Sequence, residues 1–76
     1  MTADKIKSRI EELCTNVSFI LDGKNCGIDP ISRFHYDMWY GENAYVASSI
    51  DDVMNVKMFN GKSLTEVADK IEITEW

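Results

Sequence analysis

The chain has 76 residues, enough for one domain spanning 1–76, and at that length folding buries only about 60–65% of the surface of the unfolded chain. With 45% hydrophobic and 28% charged residues and eight aromatic side chains, the composition excludes a disordered chain and supplies the material of a core. The net charge of −5 repels phosphate backbones and anionic lipid, so neither direct nucleic-acid nor membrane binding is expected.

The acids are concentrated late in the chain. From Glu42 onward there are seven acids against three bases, and before it six against five. Such an imbalance keeps a small domain soluble and suits a basic partner. No apolar run approaches the ~20 residues that span a bilayer. The start, Met1-Thr2-Ala3-Asp4-Lys5-Ile6-Lys7, lacks the apolar stretch of a secretory signal. A cytoplasmic protein is therefore expected, with Cys14 and Cys26 as reduced thiols packing as small hydrophobes.

Residues 3–15 read as an amphipathic helix, with Ile6, Ile10, Leu13, Cys14 and Val17 at the spacing of one face. Asp22-Gly23 between apolar runs is a strong hairpin signal, because both turn residues need a positive φ. A two-residue turn there pairs Leu21 with Lys24, Phe19 with Cys26 and Val17 with Ile28 on one face, and leaves Ser18, Ile20 and Asn25 on the other. Asp29-Pro30 is expected to break the strand, since proline has no N–H to donate.

A second hairpin, Arg33–Tyr40 and Asn43–Ser48, turns at Gly41-Glu42 with glycine in the first position of a type II′ turn. It pairs Tyr40 with Asn43, Met38 with Tyr45 and Tyr36 with Ala47, and Phe34 joins this apolar face. Arg33, His35, Asp37, Trp39, Ala44, Val46 and Ser48 face the other way. Two short helices follow, each announced by a capping-box pattern: Ser49-Ile50-Asp51-Asp52 and Ser63-Leu64-Thr65-Glu66. A break is expected at Met58–Lys62, around the Asn60-Gly61 turn. The tail Ile73-Thr74-Glu75-Trp76 reads as an extra strand or as a surface segment anchored by Trp76.

The expected fold is α+β: a small two-layer domain with an N-terminal helix, two antiparallel hairpins forming one sheet, and two short C-terminal helices. The helices would cover the apolar face and leave the other open to solvent or a partner. The stretches Asp29-Pro30, Asp37-Met38-Trp39-Tyr40-Gly41 and Phe59-Asn60-Gly61-Lys62-Ser63-Leu64 resemble short uncharacterised proteins of bacterial phages and mobile elements. That resemblance implies an accessory role in such an element and no assigned activity.

Several motifs fail on their own chemistry. Gly61-Lys62-Ser63 lacks the earlier glycine of a P-loop, since position 56 is Val. Asp22–Gly27 places Lys24 where a calcium loop needs a carboxylate and Arg33 where it needs a closing Glu. Cys26, His35 and Asp37 are the residue types of a thiol triad, but the registers put Cys26 and His35 on opposite faces. Asp51-Asp52 suits the first turn of a helix. No catalytic set, metal site or cofactor is expected.

The informative feature is the face carrying Arg33, His35, Asp37 and Trp39. A Trp on the solvent side of a sheet calls for a cover, and Trp and Arg are enriched at interface hot spots. The C-terminal tail, a partner protein, or a second copy in a homodimer would provide one. The leading expectation is a protein-interaction or accessory module, bacterial or phage-borne, that binds through this face or through the acidic C-terminal helices. Two alternatives accompany it. One is a small enzyme or enzyme subunit using His35 and Asp37. The other is an acidic mimic presenting Asp51, Asp52, Glu66, Asp69, Glu72 and Glu75 to a nucleic-acid-binding protein.

Overall fold

The computed structural model describes every residue, Met1–Trp76. In chain order the elements are α1 (Ala3–Glu11), β1 (Val17–Leu21), β2 (Lys24–Ser32), β3 (His35–Tyr40), β4 (Asn43–Ala47), α2 (Ile50–Asn55), α3 (Leu64–Val67) with a 3₁₀ turn at Ala68–Lys70, and β5 (Glu72–Glu75). The strands form one antiparallel sheet in the order β4-β3-β2-β1-β5. No helix is long and apolar enough to cross a membrane.

Two tight turns fix the register. Asp22 and Gly23 both adopt positive φ, 55° and 74°, the type I′ geometry that matches strand twist. Val17 then lies opposite Ile28, Phe19 opposite Cys26 and Leu21 opposite Lys24, as the hairpin rule requires. Gly41, at φ 60°, turns β3 into β4 and sets Tyr36/Ala47, Met38/Tyr45 and Tyr40/Asn43. Each of these pairs points to the helix side, where Phe19, Ile28, Met38 and Ala47 are almost fully buried.

The strand break expected at Asp29-Pro30 does not occur. β2 runs through both residues to Ser32, and Pro30 pairs with Tyr36. Its position explains the tolerance. The last β1 partner of β2 is Ile28, so at Pro30 that side of the strand is a free edge needing no donor. The connection to β3 is instead the two-residue turn Arg33-Phe34, held by the Phe34 amide donating to Ser32 Oγ at 3.1 Å. Phe34 therefore does not join the apolar face and is 80% exposed.

The first helix also ends sooner than its periodicity suggests. α1 stops at Glu11, and Leu13 takes a left-handed φ of 56°. The Glu12 and Leu13 amides reach back to the Arg9 and Ile10 carbonyls in a tightened last turn. The chain must reverse before β1 begins at Val17, and that reversal carries Cys14 out to an exposed position. Ile6 and Ile10 remain the buried anchors of the helix.

All helices lie against the same sheet face. Phe59, completely buried between α2 and α3, packs its ring 5.9 Å from both Phe19 and Tyr40, edge-on to the latter. Ser49 caps α2 by accepting from the Asp52 amide. The Asp52 carboxylate does not close that capping box: it accepts from the Tyr45 hydroxyl and the Ser48 amide. Ser63 and Glu66 form a complete box at α3. The tail adds β5 to the free edge of β1, and Trp76 turns to the helix side, where Arg9 lies over its ring and donates to its backbone oxygen at 2.8 Å.

Glu66 provides a pH-dependent contribution. Its carboxyl is lowered from 4.5 to about 2, first by the Lys57 ammonium and then by the Ser63 amide and hydroxyl. A lowered folded-state pKa contributes stability that is complete above the unfolded value and is lost as pH falls through the folded one. Glu66→Gln is therefore expected to lower the urea midpoint at pH 7 and to flatten the acid destabilisation between about pH 4.5 and 2. Parallel urea titrations across that window measure both effects; an unchanged acid slope contradicts the assignment.

Candidate functional site

The sheet face opposite the helices has no covering element. It is built of residues alternating with the core set. One row runs across the whole sheet as Glu75, Ser18, Gly27, Trp39 and Ala44. Beside it lie Asp29, Asp37 and Val46, and on the other flank Glu72, Ile20 and Asn25.

Trp39 lies flat over this surface. Gly27 is its cross-strand partner. A Cβ at Gly27 would stand 2.3 Å from Trp39 Cζ2, 2.7 Å from Cη2 and 2.7 Å from the Val17 carbonyl oxygen. The indole thus occupies the space that any other residue's side chain would fill. A glycine inside a strand commonly marks such a close approach, a signal that the reading of the sequence did not use. Half-buried Trp39 and Ile20, together with Val46 and Ile31, each 58% exposed, make the face partly apolar.

Its ionisable groups are acidic apart from His35. Asp29 and Asp37 stand directly opposite one another on β2 and β3, an arrangement of like charges that destabilises a sheet. His35 Nε2 lies 2.9 Å from Asp37 Oδ1, and both side chains are about half exposed. Asp29 has no such partner among the hydrogen bonds and ion pairs of the chain. At the β1 edge, Glu75 accepts from Ser18 Oγ at 3.2 Å. No Lys or Arg emerges here: Lys5, Lys7 and Arg9 are on α1, Lys24 lies over the Tyr40 ring, Arg33 is in a turn, and Lys57, Lys62 and Lys70 belong to the helical segment.

Of the four residues expected to act together, His35, Asp37 and Trp39 share this face and Arg33 does not. Arg33 sits in the β2–β3 turn and borders a shallow end cleft of about 400 Å³ with Glu11, Phe34, Tyr36, Ser49 and Ile50. The turn, not a strand, carries it, so the period-two argument that placed it beside His35 does not apply. Neither that cleft nor the second one, lined by Lys24, Asn25, Gly41, Glu42 and Asn43, reaches His35 or Asp37. The tail does not cover Trp39, since β5 extends the sheet edge and Trp76 packs on Arg9.

The remaining candidates separate. Cys26 is buried on the helix side, and burial raises its thiol above the ordinary value, which leaves it protonated and remote from His35. Nowhere do three or more His, Cys, Asp or Glu side chains converge as metal ligands do. The acids proposed for a mimic are divided among α2, α3, the 3₁₀ turn and β5. Asp52 is committed to Tyr45 and Ser48, Glu66 to Lys57 and Ser63, and Glu72 and Glu75 belong to β5. Comparison with protein-family models, curated proteins and solved structures finds no match to this chain.

Gly27→Ala is expected to lift the indole off the sheet, shift Trp39 fluorescence to the red and cost about 1–3 kcal/mol as an overpacked site; unchanged emission and stability argue against the close approach. Asp29→Asn removes the like-charge pair and is expected to raise stability by about 0.2–1 kcal/mol in urea unfolding, unusual for a substitution of a half-buried residue.

Proposed function

We propose that this chain is a protein-interaction domain whose open sheet face receives a partner segment bearing both apolar and cationic side chains. Trp39 is the anchor, with Ile20 and Val46 extending its apolar contact. Asp29 and Asp37 meet the partner's cations, and His35 orients Asp37. The observation that carries this reading is the pairing of a flat, uncovered Trp with two facing carboxylates on a surface devoid of Lys and Arg. A face that sacrifices stability to like-charge repulsion gains if a cationic partner neutralises it.

The same charges weigh against the other occupants of this surface. Two copies stacked face to face would oppose Asp29, Asp37, Glu72 and Glu75 to themselves. A nucleic acid would meet carboxylates where aromatic platforms normally offer cations. An enzymatic use of His35 and Asp37 has no pocket beside it to hold a substrate.

Affinity capture from the native cell lysate tests the proposal with three folded forms of the protein: wild type, a face variant carrying His35→Ala, Asp37→Asn and Trp39→Ala, and the turn variant Arg33→Ala. We expect wild type and Arg33→Ala to retain a common partner that the face variant loses, and added salt to elute it. Retention by the face variant together with loss by Arg33→Ala would sink this reading and move binding to the end cleft.

A further inference from the structure

The sheet has two edges, and they are treated differently. β5 is four residues long, carries Glu72 and Glu75, and its pairing with β1 shifts register between Ser18 and Phe19. Short length, charge and irregularity are the devices by which proteins keep an edge strand from pairing with another chain. β4, Asn43-Ala44-Tyr45-Val46-Ala47, is one residue longer and has neither the charge nor the irregularity. It contains no charge and no proline, and it pairs with β3 through five consecutive residues without a shift.

The turn chemistry identifies which backbone groups of β4 are free. In a two-residue hairpin the closing pair, here Tyr40/Asn43, exchanges its hydrogen bonds, and bonding then alternates along the strand. Asn43, Tyr45 and Ala47 therefore direct their N–H and C=O groups to β3. Ala44 and Val46 direct theirs outward, and the side chains of both are exposed.

We propose that a second copy of the chain pairs with β4 through its own β4, antiparallel about a two-fold axis at Tyr45. In that register Ala44 and Val46 of each copy exchange hydrogen bonds with Val46 and Ala44 of the other, and every outward group of the two residues is used. The neighbouring registers are poorer. Centring on Ala44 sets Val46 against Glu42 of the turn, and centring on Val46 sets Ala44 against Ser48, whose amide already donates to Asp52. The Ala44/Val46 pairs are apolar, Asn43 lies opposite Ala47, no like charges meet, and Tyr45 lies beside its own copy as an aromatic pair on the helix side.

Self-pairing of this kind makes one continuous ten-stranded sheet from two five-stranded ones, with both open faces on the same side. The assembly doubles the surface around Trp39 without covering it, and the edge proposal stands independently of what that surface binds. A contact of one short strand buries less than the ~1,600 Å² of a standard interface, so the dimer dissociates in the micromolar range or above.

Sedimentation equilibrium from micromolar to millimolar protein tests the proposal. The expected result is a rise from one to two chain masses, abolished by Val46→Pro and retained by Trp39→Ala. Proline at position 46 removes an outward donor and no β3–β4 bond, a placement that edge strands accept. Amide hydrogen exchange on the wild type supplies a readout that needs no variant: the Ala44 and Val46 amides should become protected as concentration rises, while the β5 amides do not change. A single chain mass throughout, or a dimer in which those two amides exchange freely, overturns the proposal. Loss of dimer with Trp39→Ala in place of Val46→Pro assigns association to the face and overturns it equally.

Discussion

The structure depends on one-sided burial of its sheet. The Asp22-Gly23 and Gly41-Glu42 turns lock the strands into registers in which Val17, Phe19, Leu21, Cys26, Ile28, Tyr36, Met38, Tyr40 and Ala47 all point the same way. A one-residue slip in either hairpin would reverse a whole strand. β4 and β5 end up at opposite edges, so the segment joining them must travel the full width of the sheet. It does so beneath the apolar side, as α2 and α3 packed around Phe59, with α1 alongside. Every helix lies on that apolar side, and none is left for the other face.

What remains on the uncovered side departs from the choices that stability alone favours. A five-stranded antiparallel sheet with a solvated face ordinarily carries mixed charges there, placed so that opposite signs face each other across strands. Here Asp29 faces Asp37, every Lys and Arg lies elsewhere, and a Trp lies over a glycine that no other residue can replace without a clash. Local conflicts of this kind, in a chain whose core is otherwise consistent, are where function concentrates. The contrast between the acidic, irregular β5 edge and the uncharged, regular β4 edge is a second such departure.

Much of this was legible in the residues themselves. Both hairpin registers, the two N-terminal caps at Ser49 and Ser63, the Asn60-Gly61 turn and the solvent-side position of His35, Asp37 and Trp39 follow from turn chemistry and period-two alternation, which act over a few residues. The misreadings also share a cause. Pro30, Phe34, Arg33 and the end of α1 were judged by local preference, but each was decided by what lies beside it. Pro30 survives in β2 because β1 has already ended. Phe34 and Arg33 leave the strand because β2 runs on far enough to make them the turn. α1 stops at Glu11 because the chain must reverse to reach Val17.

The sequence by itself therefore determined the registers within the two hairpins, the faces of their paired residues and the helix caps at Ser49 and Ser63, since turn geometry and side-chain alternation are properties of neighbouring residues. Only the tertiary structure decided that the two hairpins share one sheet, that β5 completes its β1 edge and leaves β4 open, and that Trp39 reclines on Gly27 beside two facing carboxylates. These depend on which strands become neighbours: β1 with β5 from opposite ends of the chain, and β2 with β3 because β2 runs on through Pro30 to the Arg33-Phe34 turn, pairings in which the packing of the whole sheet outweighs the preferences of any one segment.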